Sequence, residues 1–195
     1  DLLLAYFLTL VSPRFRQSFF FECHSLGKFP EFVYRIVFRK ARGIISTNSA
    51  KADTIAKYCR IPKKNIFIAP NAYDEELFDA SLDRKDARIQ LGFDPKGKIV
   101  MYVGSMQKWK GVDCIPRLAK EMPDILFVIV GASKDERIGN LQYISQKPYS
   151  QAPVYMRAAD ILIAPYYGDD ERVRLYFSPV KIFEYAASGV PFITS

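Results

Sequence analysis

Short apolar runs alternate with stretches of helical periodicity along this chain of 195 residues. The runs are continuously apolar rather than alternating, which is typical of strands that are buried on both faces of a parallel sheet. The predicted strands are Ser18–Cys23, Gly43–Ser46, Asn65–Ala69, Lys98–Val103, Ile125–Val130, Leu141–Ile144, Ile161–Ala164 and Pro191–Thr194. The predicted helices are Pro30–Ala41, Ser49–Cys59, Asp83–Leu91, Val112–Met122, Ser150–Ala158 and Pro179–Ser188. The sequence therefore predicts an α/β fold with parallel sheets flanked by helices.

A change of charge and composition near residue 70 predicts a domain boundary. Residues 1–64 carry 12 Lys and Arg against 4 Asp and Glu, a net charge of +8, while the whole chain carries +7. Pro70-Asn71 is a turn signal, and the acidic run that follows over residues 74–83 predicts a loop. We therefore predict one domain over residues 1–72 and another over 73–195. The basic first part suits a phosphate-bearing partner, and a solvated surface without a specific partner explains it equally well.

Cysteine usage and the termini limit the class of protein. The three cysteines are widely spaced and the chain has one histidine, so neither a zinc site nor a disulfide framework is indicated. A reducing cytoplasm is the default location. The apolar segment Asp1–Val11 is too short to span a bilayer and does not resemble a signal peptide. The missing initial Met and the end at Ser195 suggest a fragment of a longer protein.

The predicted helix near the end of the chain combines apolar and polar features. Ser178 suits the N-cap, Pro179 the first helical position, and Gly189 the position just after the helix. The helix is otherwise apolar, yet Lys181, Glu184 and Ser188 share one face. Because burying an unpaired charge is costly, this face needs a partner. The partner is either another side chain, such as a Lys181–Glu184 pair, or a phosphate at the helix start.

Ligands of doubly wound folds bind at the carboxyl ends of strands. Three loops follow such strand ends, at Gly104–Gly111, Gly131–Asn140 and Pro165–Ser178. In the first loop, Gly104 permits close backbone approach, and Lys108 and Lys110 could neutralise a diphosphate. The loop is not a Walker A motif. Glu184 suits sugar hydroxyls, and His24 follows a strand, although a lone histidine is more often structural.

Taken in order, four segments resemble the retaining GT-B glycosyltransferases of family 4, also called group 1. The segments are Ile68-Ala69-Pro70-Asn71-Ala72-Tyr73-Asp74 with Leu77-Phe78; Val103-Gly104-Ser105 with Trp109-Lys110-Gly111-Val112-Asp113; Val128-Ile129-Val130-Gly131; and Ala159–Pro165 leading to Ser178-Pro179-Val180-Lys181, Glu184-Tyr185 and Gly189-Val190-Pro191. Each motif is modest alone, and the ordered set is specific.

The resemblance implies two Rossmann-like domains. Residues 1–72 would be the last part of the acceptor-side domain, and residues 73–195 most of the donor-side domain. A UDP- or GDP-linked sugar would be the donor, a glycan or lipid-linked molecule the acceptor, and no metal cofactor would be needed. The implied setting is polysaccharide or glycolipid assembly in the cytoplasm, with peripheral binding to an anionic membrane through Phe15, Phe19 and Phe20 among Arg14 and Arg16. Equally, Phe19–Phe21 could be a core strand.

The resemblance also implies roles for individual residues. Lys110 would bind the diphosphate beside Gly104 and Ser105, together with the helix start formed by Ser178, Pro179, Val180 and Lys181. Glu184 would bind the ribose, Gly131 would allow close approach, and Gln146–Tyr149, which includes Lys147, would contact the base. Glu22-Cys23-His24 resembles the family's Glu-x-His motif, which would place His24 near the transferred sugar. His24, Lys110 and Glu184 are thus the residues implied in catalysis.

Two departures from the family pattern leave alternatives open. Tyr176 stands where the family has the first glutamate of its Glu-x7-Glu motif, which usually contacts the donor sugar. Ser105 stands where an arginine is frequent. The alternatives are a non-catalytic nucleotide or sugar-phosphate binding module, which Tyr176 favours, and a GT-B nucleotide-sugar epimerase. A nucleic-acid binder is disfavoured because no recognition motif accompanies the basic residues. The 195-residue chain alone is expected to be inactive.

Overall fold

Two separate sheets of mostly parallel strands organise the chain. The computed structural model describes residues 1–78, 82–167 and 179–195. These residues form two compact units, of which the first comprises Asp1–Asn71 and the second begins at Ala72. The boundary had been predicted after residue 72. The assignment of the units to the acceptor and donor sides stays a prediction.

The first unit is a small three-stranded sheet with its helices. Its elements are α1 (Leu2–Val11), β1 (Phe20–Glu22), α2 (Glu31–Lys40), β2 (Gly43–Ser46), α3 (Ser49–Cys59) and β3 (Ile66–Ile68). The strand order is β1-β2-β3 and all pairs are parallel, with Phe20 opposite Gly43 and Ile44 opposite Ile66. The core lies between the sheet and the helices and includes Val37, Ile44 and Ile55.

The second unit contains a six-stranded sheet. Its helices are α4 (Glu75–Phe78), α5 (Arg84–Leu91), α6 (Ile115–Glu121), α7 (Ala152–Ala158) and α8 (Val180–Ala187). Its strands are β4 (Ile99–Val103), β5 (Leu126–Ala132), β6 (Glu136–Ile138), β7 (Leu141–Ser145), β8 (Ile161–Ala164) and β9 (Phe192–Thr194). The order is β6-β7-β5-β4-β8-β9, parallel except for β6 against β7. The chain runs outward from β4 in both directions, as in doubly wound nucleotide-binding folds.

The structure contains all eight predicted strands and all six predicted helices, with ends shifted by a few residues. The predicted α/β fold class with parallel sheets is thus confirmed. Among the α-helices and strands of the described residues, α1, α4 and β6 were not predicted. The acidic run was predicted to be a loop, which is wrong at Glu75–Phe78, where a helical turn forms and the Asp74 carboxylate accepts from the Leu77 N–H at 3.3 Å. Strand β6 is fully exposed and therefore lacks an apolar pattern.

Two further features of the first unit concern membranes. The apolar N-terminal segment forms α1, whose first turn is capped by the Asp1 carboxylate at 3.2 Å from the Leu4 nitrogen. Within the described ranges, no helix is both long enough and apolar enough to cross a bilayer. Phe19 and Phe21 pack against the core of the first unit, which favours the core-strand alternative for these two residues.

A buried arginine ties together the amino ends of the strands in the second unit. Arg88 of α5 donates from Nη2 to Asp160 Oδ2 at 2.7 Å and from Nε to the Ala158 carbonyl at 2.8 Å. Its Nη1 donates to the carbonyls of Pro95 and Gly97. The same Asp160 oxygen accepts from the Ile99 N–H at 2.8 Å. Asp160 thus fixes the starts of β4 and β8, at the edge of the sheet opposite the strands' carboxyl ends.

We expect Asp160→Ala to destabilise the protein by about 3 kcal/mol, because it leaves the buried Arg88 cation without its carboxylate. Urea unfolding of the full-length protein measures this change. Arg84→Ala is the matched control, since Arg84 binds the other oxygen of Asp160 from an exposed position. It should cost less than about 1 kcal/mol. Equal losses in the two variants would contradict the central role of Arg88–Asp160.

Candidate functional site

The second unit has a pocket at the carboxyl ends of β4 and β5, with a volume of about 330 Å³. Two strand ends, the segment after β7, α7 and α8 contribute its walls. We call it the strand-end pocket; it is lined by Val103, Gly104, Ser105, Val130, Gly131, Gln146, Lys147, Pro148, Tyr149, Ala152, Tyr155, Met156, Lys181 and Glu184. It lies at the sheet edge where doubly wound folds bind their ligands.

Two glycines let the backbone approach closely at the floor of the strand-end pocket. Gly104 has φ of 144° and Gly131 has φ of 109°, both in the region that other residues rarely adopt. A Cβ atom on Gly131 would collide with the Gly104 carbonyl oxygen, and a Cβ on Gly104 would lie 2.5 Å from Lys181 Nζ. Gly131 therefore requires glycine for steric reasons as well as for backbone conformation, whereas Gly104 requires it mainly for backbone conformation, because the end of the Lys181 side chain can move.

The loop after β4 carries a lysine that is held beside the pocket. Lys110 Nζ donates to Ser105 Oγ at 2.6 Å, and Ser105 lines the pocket. Burial lowers the pKa of Lys110. The loop is also held to β4, because the Tyr102 hydroxyl donates to the Ser105 carbonyl at 2.9 Å. Among the described residues, a hydroxyl and not a carboxylate thus positions the Lys110 amine beside the pocket.

The last helix turns its polar residues inward. Lys181, Glu184 and Ser188 are all buried, while Val180 and Ala186 on the other side are exposed. The helix begins at Val180, so Pro179 is the capping residue and the predicted first helical position for Pro179 is wrong by one residue. Pro179 lacks a side-chain donor or acceptor, so no side-chain hydrogen bond caps this end. Ser178 and Tyr176, two of the predicted binding residues, lie outside the described residues.

Part of this polar face is satisfied by the protein itself. Ser188 Oγ donates to the Tyr185 carbonyl at 2.7 Å and accepts from the Val190 N–H at 3.3 Å, so it ends the helix. Glu184 Oε1 accepts from the Tyr149 hydroxyl at 2.6 Å. Burial and this hydrogen bond raise the pKa of Tyr149 to about 12. Tyr149 therefore remains a donor and fixes the Glu184 carboxylate at the pocket wall.

Lys181 is different. Its Nζ is buried and has no hydrogen-bond partner among the residues that the structure describes, so the alternative of a Lys181–Glu184 pair is not realised. The amine lies 3.4 Å from the centre of the Tyr102 ring. Burial, followed by the neighbouring charge of Lys110, lowers the pKa of Lys181 well below its usual value, while Glu184 acts in the opposite direction. A buried amine with only an aromatic ring beneath it can accept an anionic partner.

The structure brings most predicted binding residues into one place. Gly104, Ser105, Gly131, Lys147, Lys181 and Glu184 line the strand-end pocket, and Lys110 contacts Ser105. Pro179 and Val180 are at the start of α8 and are not among the lining residues. His24 belongs to the first unit, where it is exposed and its Nε2 lies 3.4 Å from Glu22 Oε1. The residue roles stay predictions.

Sequence reasoning missed several residues that line the pocket or contact its lining. Tyr102, which contacts Lys181, is hidden in an apolar strand run, and Tyr155 and Met156 are apolar positions of a helix. Only Tyr102, next to the last residue of β4, has a position near a strand end that could have indicated it. Tyr149 belonged to a predicted contact segment, but its bond to Glu184 joins positions 35 residues apart and has no local signal.

Comparison with known proteins identifies the class. The model of the family "Glycosyl transferases group 1" matches residues 97–195, about half of the chain. The chain belongs to this family. Among curated relatives, D-inositol 3-phosphate glycosyltransferase of Corynebacterium aurimucosum is 29% identical over 175 residues, covering 78% of this chain and 40% of the relative. That of Segniliparus rotundus is 25% identical over 194 residues, covering 87% of this chain and 41% of the relative.

Solved structures show the same fold. Anabaena HepE in complex with UDP-glucose aligns with a TM-score of 0.71 at 16% identity, over 99% of this chain and 56% of that one. Sucrose-phosphate synthase from Thermosynechococcus elongatus aligns with a TM-score of 0.67 at 20% identity, over 97% and 54%. These neighbours are GT-B glycosyltransferases, so the predicted GT-B fold is confirmed. The chain spans about 40% of the length of the curated relatives it matches.

We expect Gly131→Ala to lower stability by at least about 2 kcal/mol, because the added methyl group meets the Gly104 carbonyl as well as an unfavourable φ. Gly139→Ala is the matched control: Gly139 also has positive φ, at 60°, but its added Cβ would meet no atom within 4 Å. The stability of Gly139→Ala should fall only by the cost of placing alanine at positive φ, about 1 kcal/mol. Thermal unfolding of both variants measures the difference, and equal losses would contradict the close approach.

Proposed function

We propose that this chain is part of a glycosyltransferase that moves a sugar from a UDP- or GDP-linked donor to a glycan or lipid-linked acceptor, with retention of configuration. The observation that carries the proposal is the strand-end pocket, which combines two lysine amines and a buried carboxylate at the ligand-binding edge of a doubly wound sheet. The family supports it, as do the names of the curated relatives and the UDP-glucose bound to Anabaena HepE.

The lysine side of the pocket suits the diphosphate. In this proposal Lys110 and Lys181 balance its charge, and the free N–H groups at the start of α8 add a favourable dipole. Gly104 and Gly131 keep the floor free of side chains, so the phosphates can approach the backbone. Charge that develops on the leaving diphosphate would be stabilised by the same lysines, without a metal cofactor.

The carboxylate of the pocket and the segment after β7 suit the nucleoside. Glu184 is fixed by the Tyr149 hydroxyl, and a carboxylate has lone pairs left for further donors. A pair of ribose hydroxyls supplies such donors. Lys147 and Tyr149 follow β7 and line the pocket, in the segment where the family resemblance predicts contact with the base.

The transfer step is proposed to rest on positioning. The front face of the donor sugar would be attacked by the acceptor hydroxyl, the leaving phosphate would take the proton, and the protein would hold both in place. The proposed contact of His24 with the transferred sugar rests on the resemblance of Glu22-Cys23-His24 alone. The acceptor and the cytoplasmic location likewise remain proposals. So does the peripheral membrane contact, which the +8 charge of residues 1–64 supports.

We expect Lys110→Ala and Glu184→Ala each to weaken the binding of UDP or GDP at least tenfold, because each removes one polar anchor. Calorimetry on the full-length protein measures the dissociation constants. Lys120→Ala and Glu136→Ala are matched controls, since both residues are exposed and neither lines the strand-end pocket. Unchanged affinity in both site variants would refute the assignment.

A turnover measurement distinguishes a glycosyltransferase from a non-catalytic binding module. The full-length protein with a nucleotide sugar and a suitable acceptor should release free nucleotide diphosphate and form a glycoside with the donor's anomeric configuration, which NMR of the product reports. Binding without transfer across a panel of glycan and lipid-linked acceptors would favour the non-catalytic alternative.

A further inference from the structure

The buried amine of Lys181 leads beyond the general site. We propose that the amine of Lys181 takes up a proton from solvent when the diphosphate binds, so that Lys181 responds to the charge of this ligand. We further propose that Tyr102 holds the Lys181 amine in position. Both statements rest on the proposed function. Tyr102 would thereby be a positioning residue that acts through Lys181.

The first support is geometric. Lys181 Nζ is buried against the loop at Gly104, and its position leaves no room for a Cβ there. The centre of the Tyr102 ring is 3.4 Å away, and that of the Tyr185 ring 5.8 Å. No hydrogen-bond acceptor is in reach among the residues of the described ranges. The amine is held by aromatic faces at the wall of the strand-end pocket and has donors available for a ligand.

The second support is the charge around Lys181. Lys110 disfavours a second cation, and Glu184 favours it but is engaged by Tyr149. Burial raises the pKa values of Tyr102, Tyr185 and Tyr155, so these hydroxyls stay neutral. Lys147, the remaining cation of the pocket, lies near Ser145 and Asp135. The described part of the free protein therefore offers Lys181 little compensation for a positive charge.

A bound diphosphate reverses this balance. It brings negative charge and acceptor oxygens to the amine, which favours the protonated form. The amine lone pair takes a proton from the buffer, and the resulting ammonium donates to the phosphate oxygens. Because the pKa of Lys181 is low in the free protein and higher in the complex, affinity is greatest below the lower value. It falls as pH rises between the two, by up to about tenfold per pH unit.

Tyr102 connects this amine to the rest of the phosphate site. The Tyr102 ring lies under Lys181, and the Tyr102 hydroxyl donates to the carbonyl of Ser105. The side chain of the same Ser105 accepts a hydrogen bond from Lys110. One fully buried side chain thus sets the positions of both cations. Removal of the ring should affect binding through Lys181, and removal of the hydroxyl alone should affect the loop.

Calorimetry with UDP on the full-length protein tests the proton uptake. The titration is run near pH 8, where the terminal phosphate is fully ionised, in two buffers that differ in ionisation enthalpy. The slope of the observed enthalpy against that quantity gives the number of protons taken up. We expect uptake of up to one proton in the wild type, and UDP affinity that falls as the pH rises.

Two matched variants identify the group. Lys181→Arg keeps a permanent charge and should bind UDP without proton uptake, whereas Lys110→Arg should keep the uptake, although the pKa of Lys110 is also lowered. Uptake that persists in Lys181→Arg and disappears in Lys110→Arg would overturn the proposal. So would UDP binding by the wild type with no uptake and no pH dependence. A wild type that fails to bind UDP or GDP would instead count against the proposed function itself.

A double-mutant cycle tests the role of Tyr102. Compared with Tyr102→Phe, which lacks only the hydroxyl, Tyr102→Leu should weaken UDP binding at least fivefold when Lys181 is present and change it less than twofold in the Lys181→Met background. Tyr102→Phe should restore the affinity to within threefold of the wild type and keep the proton uptake. A Tyr102→Leu loss of the same size in both backgrounds would show a merely structural role and contradict the positioning.

Discussion

The second unit depends on the burial of the polar face of α8, an arrangement that runs against the usual amphipathic pattern. Tyr185 reaches between β4 and β8, where its hydroxyl accepts from the Val103 N–H at 3.0 Å and donates toward the Ile163 carbonyl at 3.3 Å. Ser188 is satisfied at the end of the helix, and Glu184 is held by Tyr149. The hydrogen bonding of the buried polar side chains thus decreases toward the start of the helix, where the described residues offer Lys181 only aromatic rings. Tyr185 thus joins the helix to β4 and β8, and the start of the helix places the Lys181 amine at the strand-end pocket.

Much of the fold followed from the sequence, because buried parallel strands such as Ile99–Val103 give continuous apolar runs that end at turn residues. Where an element is not buried, this signal disappears. Strand β6 pairs with β7 while all three of its residues are exposed, and α4 is a single acidic turn without an apolar stripe. Both elements are stabilised by their neighbours in space, which a local pattern does not contain.

The two charged residues of the site on α8 could also be predicted from a local pattern. Lys181 and Glu184 stand out because a charge among apolar helix residues is costly and needs a partner. Tyr102 does not stand out, since a tyrosine in an apolar strand is an ordinary core residue. Its contact with Lys181 crosses 79 positions and depends on how α8 packs over the end of β4. The sequence could indicate that Lys181 needs a partner, and only the fold supplies the ring beneath it.

Among its described residues the second unit buries two cations, and their surroundings differ in a way that bears on their roles. Arg88 donates to three carbonyl groups and to the Asp160 carboxylate, so its charge is compensated and it joins the strand starts. Lys181, at the other edge of the same sheet, receives an aromatic face and a neighbouring cation. A fold that compensates one buried cation so fully is able to compensate a second. Among the described residues the Lys181 amine has no hydrogen-bond acceptor, and it lies at the wall of the pocket. In the proposed function a bound anion is its partner, and the cost of burying the amine is offset by that contact.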